Sequence, residues 1–236
     1  MADVTDRKPA TVVAEPAWGR VLMWVGLPLV GAGAGFGLSR LVDWLLGLPW
    51  TPFEGPLRLL QSIPAPFDII APIAVGAVAG LVLAGIGDSE MLIVTVAGDE
   101  VTLKRGDTTR SLHAASVAGV FVEGKQLVLL GRHDDELARE KSDLAATALR
   151  EAFTAHGYDW LPADPHRDAF RRWVEGTPDL PAGADALLRA RSRALEKGKK
   201  DELTELRDEL ARLGVVVRED DKTQYWRRSG TPSIPS

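Results

Sequence analysis

The chain is expected to be an α+β membrane protein, and three observations predict that class. Two runs of 19 residues, 21–39 and 69–87, carry no charged side chain. From Met91 onward, short stretches rich in Val, Leu, Ile and Thr alternate with turns containing Gly and Asp. Between residues 165 and 228 the charge is dense, with 15 basic and 13 acidic side chains. The expected order is a flexible N-terminal segment (1–20), a two-helix transmembrane hairpin (21–87), a small bent β-domain with a C-terminal helix (88–163), a small helical module ending in a β-hairpin (164–228), and a disordered tail (229–236).

Each uncharged run reaches about 28 Å as a helix, close to the thickness of a hydrocarbon core. A helix of that length in a soluble core would keep a polar face. A cleaved leader fits poorly, because the first 20 residues are mixed in charge and Arg40 stands where a cleavage site should be. Gly31 and Gly35, Gly33 and Gly37, and Gly76 and Gly80 are each spaced by four, which aligns small residues on one helix face and lets two backbones approach. The expected partners are the two helices of the hairpin; the alternative is a homo-oligomer through one of these faces. No ionisable group lies within either run, so a proton relay has no residues to use.

The link between the runs holds Trp44, Trp50 and five prolines, and a short interfacial helix is expected around residues 38–46. Arg7, Lys8 and Arg20 precede the first run, Arg40 and Arg58 lie in the link, and Lys104, Arg105 and Arg110 follow the second. This bias favours a multi-pass protein with both termini in the cytoplasm.

Five short antiparallel strands are expected between Met91 and residue 131, in "MLIVTVAG", "EVTLKRG", "TTRSLHAAS", "VAGVFVEG" and "QLVLLG". Their apolar face needs a cover. Residues 142–156 supply one, with Leu144, Ala145, Ala148, Leu149, Ala152 and Phe153 on one stripe, Ser142 as the N-cap and Gly157 as the residue past the C-terminus. A bent sheet closed by one helix is the plan of a pleckstrin-homology-like (PH-like) domain. The run "VAGVFVEGKQLVLLGRHDDELAREKSDL", followed by "LREAFTAHGYDW" and preceded by two apolar runs, resembles the YqeB-like family of bacterial membrane proteins over residues 20–165. That resemblance implies two spans and a bacterial PH-like domain. A lipid-head site would use the basic hairpin at Lys104, Arg105 and Arg110, but residues 88–164 carry 14 acidic against 8 basic groups.

In the charged block, residues 184–198 and 201–214 read as two helices, the second with Leu203, Leu206, Leu210 and Leu213 at helical spacing, capped by Asp201 and ended by Gly214. A hairpin over residues 215–226 follows. The stretch "RDELARLGVVVREDDKTQYWRR" with its preceding helices resembles the small C-terminal domain of cysteinyl-tRNA synthetase, which in that enzyme helps read the anticodon. Neither an "HIGH"-type nor a "KMSKS"-type signature accompanies it, and the chain has no cysteine for zinc, so the resemblance does not extend to aminoacylation. RNA contact would fall on Arg189, Arg191, Arg193, Lys197, Lys199, Lys200, Tyr225, Trp226 and Arg227. Trp226 also reads as the plug of the two-helix core.

No catalytic, cofactor-binding or metal site is expected. The chain's four histidines share no ligand spacing, His133 to Glu136 ("HDDE") reads as a solvated turn, and "GAGAGFG" lies inside an apolar run rather than after a soluble strand. Net charge is −5, which implies no bulk attraction to nucleic acid or anionic lipid. The sequence therefore favours a non-enzymatic membrane protein whose cytosolic modules hold a protein partner. A membrane-tethered protein binding tRNA or other RNA is the alternative.

Overall fold

The structure, a computed structural model, describes residues 8–46 and 67–230. Trp50, Arg58 and Arg7 lie outside the described residues, as does the tail from 231. The chain divides into two compact units, one of residues 14–93 with 104–109, the other of residues 1–13, 94–103 and 110–236.

The first unit is built on α1 (Ala17–Leu46) and α2 (Phe67–Ser89). Both are long and apolar enough to cross a membrane, and only 6% and 11% of their most apolar stretches is buried, where the helices of a soluble core would be covered. The stretch around residues 38–46, expected as a separate interfacial helix, continues α1 without a break. Trp18 and Trp44, both well exposed, stand about 39 Å apart along α1, close to the spacing of the two interfacial zones of a bilayer.

Glycines set the contact between the helices. A Cβ on Gly31 would fall on the carbonyl of Gly76, one on Gly35 on the carbonyl of Pro72, and one on Gly80 on the carbonyl of Leu27. The Gly31/Gly35 and Gly76/Gly80 faces thus meet within one chain, whereas Gly33 and Gly37 have open space beside them. At one end of the pair the Arg20 guanidinium meets Asp88 at 2.7 Å. The turn at residues 104–109 belongs to this unit, where Gly106 (φ +53°) lies against the Ser89 carbonyl and Arg105 donates to the Glu90 carbonyl.

Strands β1 (Thr11–Val13), β2 (Leu92–Val96), β3 (Glu100–Arg105) and β4 (Thr108–His113) form a sheet in that order, of which residues 11–13, 94–96, 100–103 and 110–113 belong to the second unit. The N-terminal segment expected to be flexible therefore contains a strand, paired antiparallel through Thr11 with Val96 and Val13 with Val94. Three residues are too short to register as a strand in a sequence pattern. The second sheet is β5 (Val117–Glu123), β6 (Gln126–Gly131) and β7 (Glu136–Lys141). Strand β7 escapes a hydrophobicity reading because only Ala138 of "ELAREK" is buried.

Helix α3 (Ala146–Ala155) starts later than expected. Ser142 does not cap it; Ser142 is buried, and its Oγ accepts from the Leu144 amide at 3.2 Å in a turn. Gly157, at φ +82°, takes the expected left-handed position past the helix. The chain then runs back beside β5, where the Val120 amide donates to Asp159 and the Leu161 amide to Val120, both at 2.8 Å. Leu161 covers Phe121, Val128 and Leu130, which explains why β6 is buried on both faces. Tyr158 stacks edge-on against Phe153 at 5.5 Å and donates from its hydroxyl to the Ala97 carbonyl at 2.8 Å.

The C-terminal module contains β8 (Arg171–Arg172), α4 (Ala184–Lys197), α5 (Lys200–Arg212), β9 (Val215–Asp220) and β10 (Thr223–Arg228), with sheet order β8-β10-β9. Gly214 is left-handed past α5, where an end was expected, and Gly198, expected within the preceding helix, is left-handed just past α4; Asp201 sits in the first turn of α5 rather than capping it. Trp226 does plug the core, among Ala184, Leu188, Leu210, Val215 and Val217.

Two predictions follow from this packing. Gly31→Ala should destabilise the helical hairpin by roughly 1–3 kcal/mol, since backbone lies where the new methyl must go. Gly33→Ala should shift it by no more than about 0.5 kcal/mol. Unfolding in detergent followed by circular dichroism would compare them, and equal losses would contradict the assignment of faces. For Tyr158, burial first, and then Asp99 and Glu100, raise the hydroxyl pKa above its ordinary value. Its stabilisation is thus complete below the unfolded value of about 10 and lost as pH rises through the folded one. Tyr158→Phe should flatten the alkaline limb of a stability–pH curve.

Candidate functional site

The residues that chemistry would single out collect along the seam between the second β-sheet and the C-terminal module, inside one compact unit. Strand β7 is an edge strand with alternating acids and bases, and an edge leaves backbone groups needing partners. Arg139, its side chain 10% exposed, forms a fork with Glu136 through Nε–Oε2 and Nη2–Oε1, both 2.8 Å, and reaches Glu123 at 3.2 Å. Burial opposes its charge, but Glu136 and Glu123 outweigh burial and hold its pKa above the ordinary guanidinium value.

From the module, Arg207 donates to the Arg139 carbonyl at 3.0 Å, and Arg218 pairs with Glu123 at 3.4 Å while lying 4.2 Å over the Phe170 ring. Arg227 donates to the Asp134 carbonyl and also faces Phe170, at 5.3 Å. The Gly230 amide donates to the His133 carbonyl at 2.6 Å, and His166 Nε2 stands 3.2 Å from the Asp134 carboxylate. Burial lowers the Arg227 pKa, with Arg139 adding to that and Glu136, Asp164 and Asp134 opposing it. A small cleft in the seam is lined by Arg110, Glu136, Arg139, Arg207, Val216 and Ser229.

The expected RNA-contacting residues divide by exposure. Arg191 is buried, bonded to Gln224 at 3.0 Å and to Glu219. Trp226 is in the module core and Arg227 in the seam; both are buried. Arg189 pairs with Glu175 and Asp185, and Tyr225 is half-buried 5.7 Å from Arg218. Arg193, Lys197, Lys199 and Lys200 are exposed around the α4–α5 junction, with Lys199 bridged to Glu202 at 2.8 Å.

Of the expected lipid-head residues, Lys104 is exposed beside Arg105 near the end of α2, while Arg110 belongs to the other unit. Asp134 of the "HDDE" turn has φ +60° and gives its carbonyl to Arg227. Among the described residues no group of three or more His, Asp or Glu is placed to hold a metal ion. Sequence reasoning passed over Glu123, Arg139, Arg207, Arg218 and Phe170. Only the alternation in "ELAREK" signalled any of them.

A family model described as YqeB-like bacterial PH domain matches residues 11–161. A second, described as cysteinyl-tRNA ligase anticodon binding domain, matches residues 177–227. Protein YqeB of Bacillus subtilis (strain 168), described as uncharacterized, is 38% identical over 210 residues, covering 89% of this chain and 88% of that protein. No solved structure matches.

The seam yields a stability prediction. Arg139→Met leaves the Glu136 carboxylate, 6% exposed, without its fork and should cost roughly 3 kcal/mol in urea unfolding followed by tryptophan fluorescence. Adding Glu136→Leu should recover most of that loss, because the buried charge goes with its partner. Arg193→Met, on the exposed face of α4, should change little. A double variant as unstable as the single one would show that the pair is not the source.

Proposed function

We propose, from the premise that this chain belongs to the YqeB-like bacterial PH-domain family, that it is a non-enzymatic protein of the bacterial inner membrane. On this reading α1 and α2 span the bilayer, both termini lie in the cytoplasm, and the two soluble modules act as one body that holds a protein partner or assembly there. The observation that carries it is the seam. Arg207, Arg218 and Arg227 bind the module to the PH-like sheet, and Arg191 and Trp226 are spent inside the module. Several groups that could grip phosphates or stack on bases are therefore engaged inside the chain instead.

The second reading is membrane-tethered binding of tRNA or other RNA, favoured by the match to an anticodon-binding domain and by the exposed quartet Arg193, Lys197, Lys199 and Lys200. Its electrostatic signature is binding that weakens steeply with salt. Lipid-head contact through Lys104 and Arg105 has less support, because Asp88, Glu90 and Asp107 lie in the same unit.

The deciding experiment uses the full chain in lipid nanodiscs, titrated with bulk tRNA and a random RNA at two salt concentrations, beside cross-linking in native membranes. The scaffold reading expects no preference for tRNA and a discrete cross-linked protein, either a partner or a second copy. Micromolar, salt-sensitive, tRNA-preferring binding that Arg193→Ala, Lys197→Ala and Lys199→Ala together abolish would overturn it in favour of the RNA reading.

A further inference from the structure

The β-domain is interrupted by the helices. Its first strand, β1, stands before α1, and its second, β2, follows α2, yet the two are hydrogen-bonded neighbours in one sheet. The pairing is built in from three directions. Val13 is buried beside Val94 and Val96, both fully covered. Thr11 Oγ1 lies 2.9 Å from His156 Nε2, and Lys8 donates to the Ala155 carbonyl at 3.1 Å, so the end of α3 fastens the same segment from the other side. A three-residue strand has no stability of its own and exists only where a sheet edge receives it.

We infer that β1 is a closing latch: the β-domain is completed only after both helices have been inserted and the chain has returned to the side of the membrane from which it started. The inference rests on the spanning reading proposed above. A strand cannot pair through a hydrocarbon core of about 30 Å, so β1 and β2 share one side and the number of crossings between them is even. Only residues 14–16 join β1 to α1, a reach of no more than about 14 Å, so β1 stays at the face where α1 begins, and once α1 spans the bilayer only α2 can return β2 to it. Until then the β2 edge stays open, with the apolar face of Val94 and Val96 uncovered by Val13, the kind of edge that invites wrong pairing.

The absence of native cysteine makes the test direct. Val12 and Thr95 are opposed in the register on the outward face, with Val12 60% exposed, so thiols there disturb no core. Opposed Cβ atoms in an antiparallel pair stand within reach of a disulfide. The full chain carrying Val12→Cys and Thr95→Cys is expressed in bacterial membranes, oxidised, and read on non-reducing gels and by mass spectrometry of the joined peptides. An intrachain disulfide in most of the monomer is expected, and its loss when residues 69–87 are deleted. In that deletion, a membrane-impermeant maleimide should label the two single-cysteine chains from opposite sides.

Absence of the disulfide in the full chain overturns the latch. Disulfides formed only between chains overturn it too, since a second copy would then supply the strand. Persistence after deletion overturns the requirement for both helices. Alkaline carbonate extraction is run in parallel. Release of the protein into the supernatant while the disulfide forms would sink the spanning reading and leave the pairing itself standing.

Discussion

The backbone at a sheet edge has donors and acceptors that must find partners, and much of this chain's arrangement answers that demand. The β2 edge receives β1. The β5 edge receives the segment at Asp159–Leu161, which gives and accepts a hydrogen bond at Val120. Among the described residues, the β7 edge and the turn before it receive no strand. There the C-terminal module supplies donors one at a time, from Arg207 to Arg139, from Arg227 to Asp134 and from Gly230 to His133. Three different devices, a strand, a passing loop and a set of side chains, thus perform the same physical task around one small β-domain.

Using arginine for the third device has consequences for charge. Each guanidinium brought into the seam loses hydration, and only paired or ring-stacked geometry offsets that loss. Arg139 is paid back by two carboxylates, Arg218 by Glu123 and the Phe170 ring, and Arg227 by a carbonyl and the same ring. Two of the Arg227 nitrogens, Nε and Nη2, are buried without a hydrogen-bond partner among the described residues, which fits its lowered pKa. Phe170 serves two cations from one ring. The seam is consequently specific in register, since sliding the module by one residue would strand several buried charges together.

What the sequence made legible follows from where side-chain chemistry and backbone geometry coincide. Four-residue glycine spacing marked the helix contact because only the lack of a Cβ permits backbone approach, and Gly31, Gly35, Gly76 and Gly80 make it. Spacing alone could not tell that face from Gly33 and Gly37, since both pairs satisfy the same rule. Strands β2, β3 and β6 declared themselves through apolar runs. Strand β7 did not, because its exposed side chains are charged and its inward contacts are ion pairs rather than hydrophobic burial. The stripe over residues 142–156 located α3 but misjudged its start, since Ser142 stabilises a turn as readily as it caps a helix. Long-range pairing was the least legible feature: nothing in "TVV" indicates that its partner lies beyond two helices.

The resemblance to an anticodon-binding domain illustrates how far a shared fold reaches. The family match covers residues 177–227, which hold both helices, the hairpin and Trp226 at the core of the module. Recognition belongs to surfaces, and here several of the module's basic residues are engaged within the chain. Basic residues at Arg207, Arg218 and Arg227 face the β-domain, and four of the exposed basic groups, Arg193, Lys197, Lys199 and Lys200, lie at the α4–α5 junction near Glu196 and Glu202. A nucleic-acid surface gains affinity by releasing counterions from phosphates, which needs several cations free of internal partners. Where Lys199 already has Glu202 and Arg189 has Glu175 and Asp185, much of that release has been forgone in advance. The seam therefore fixes the module's hold on the β-domain, while several of its outward cations are already matched by carboxylates of the same chain.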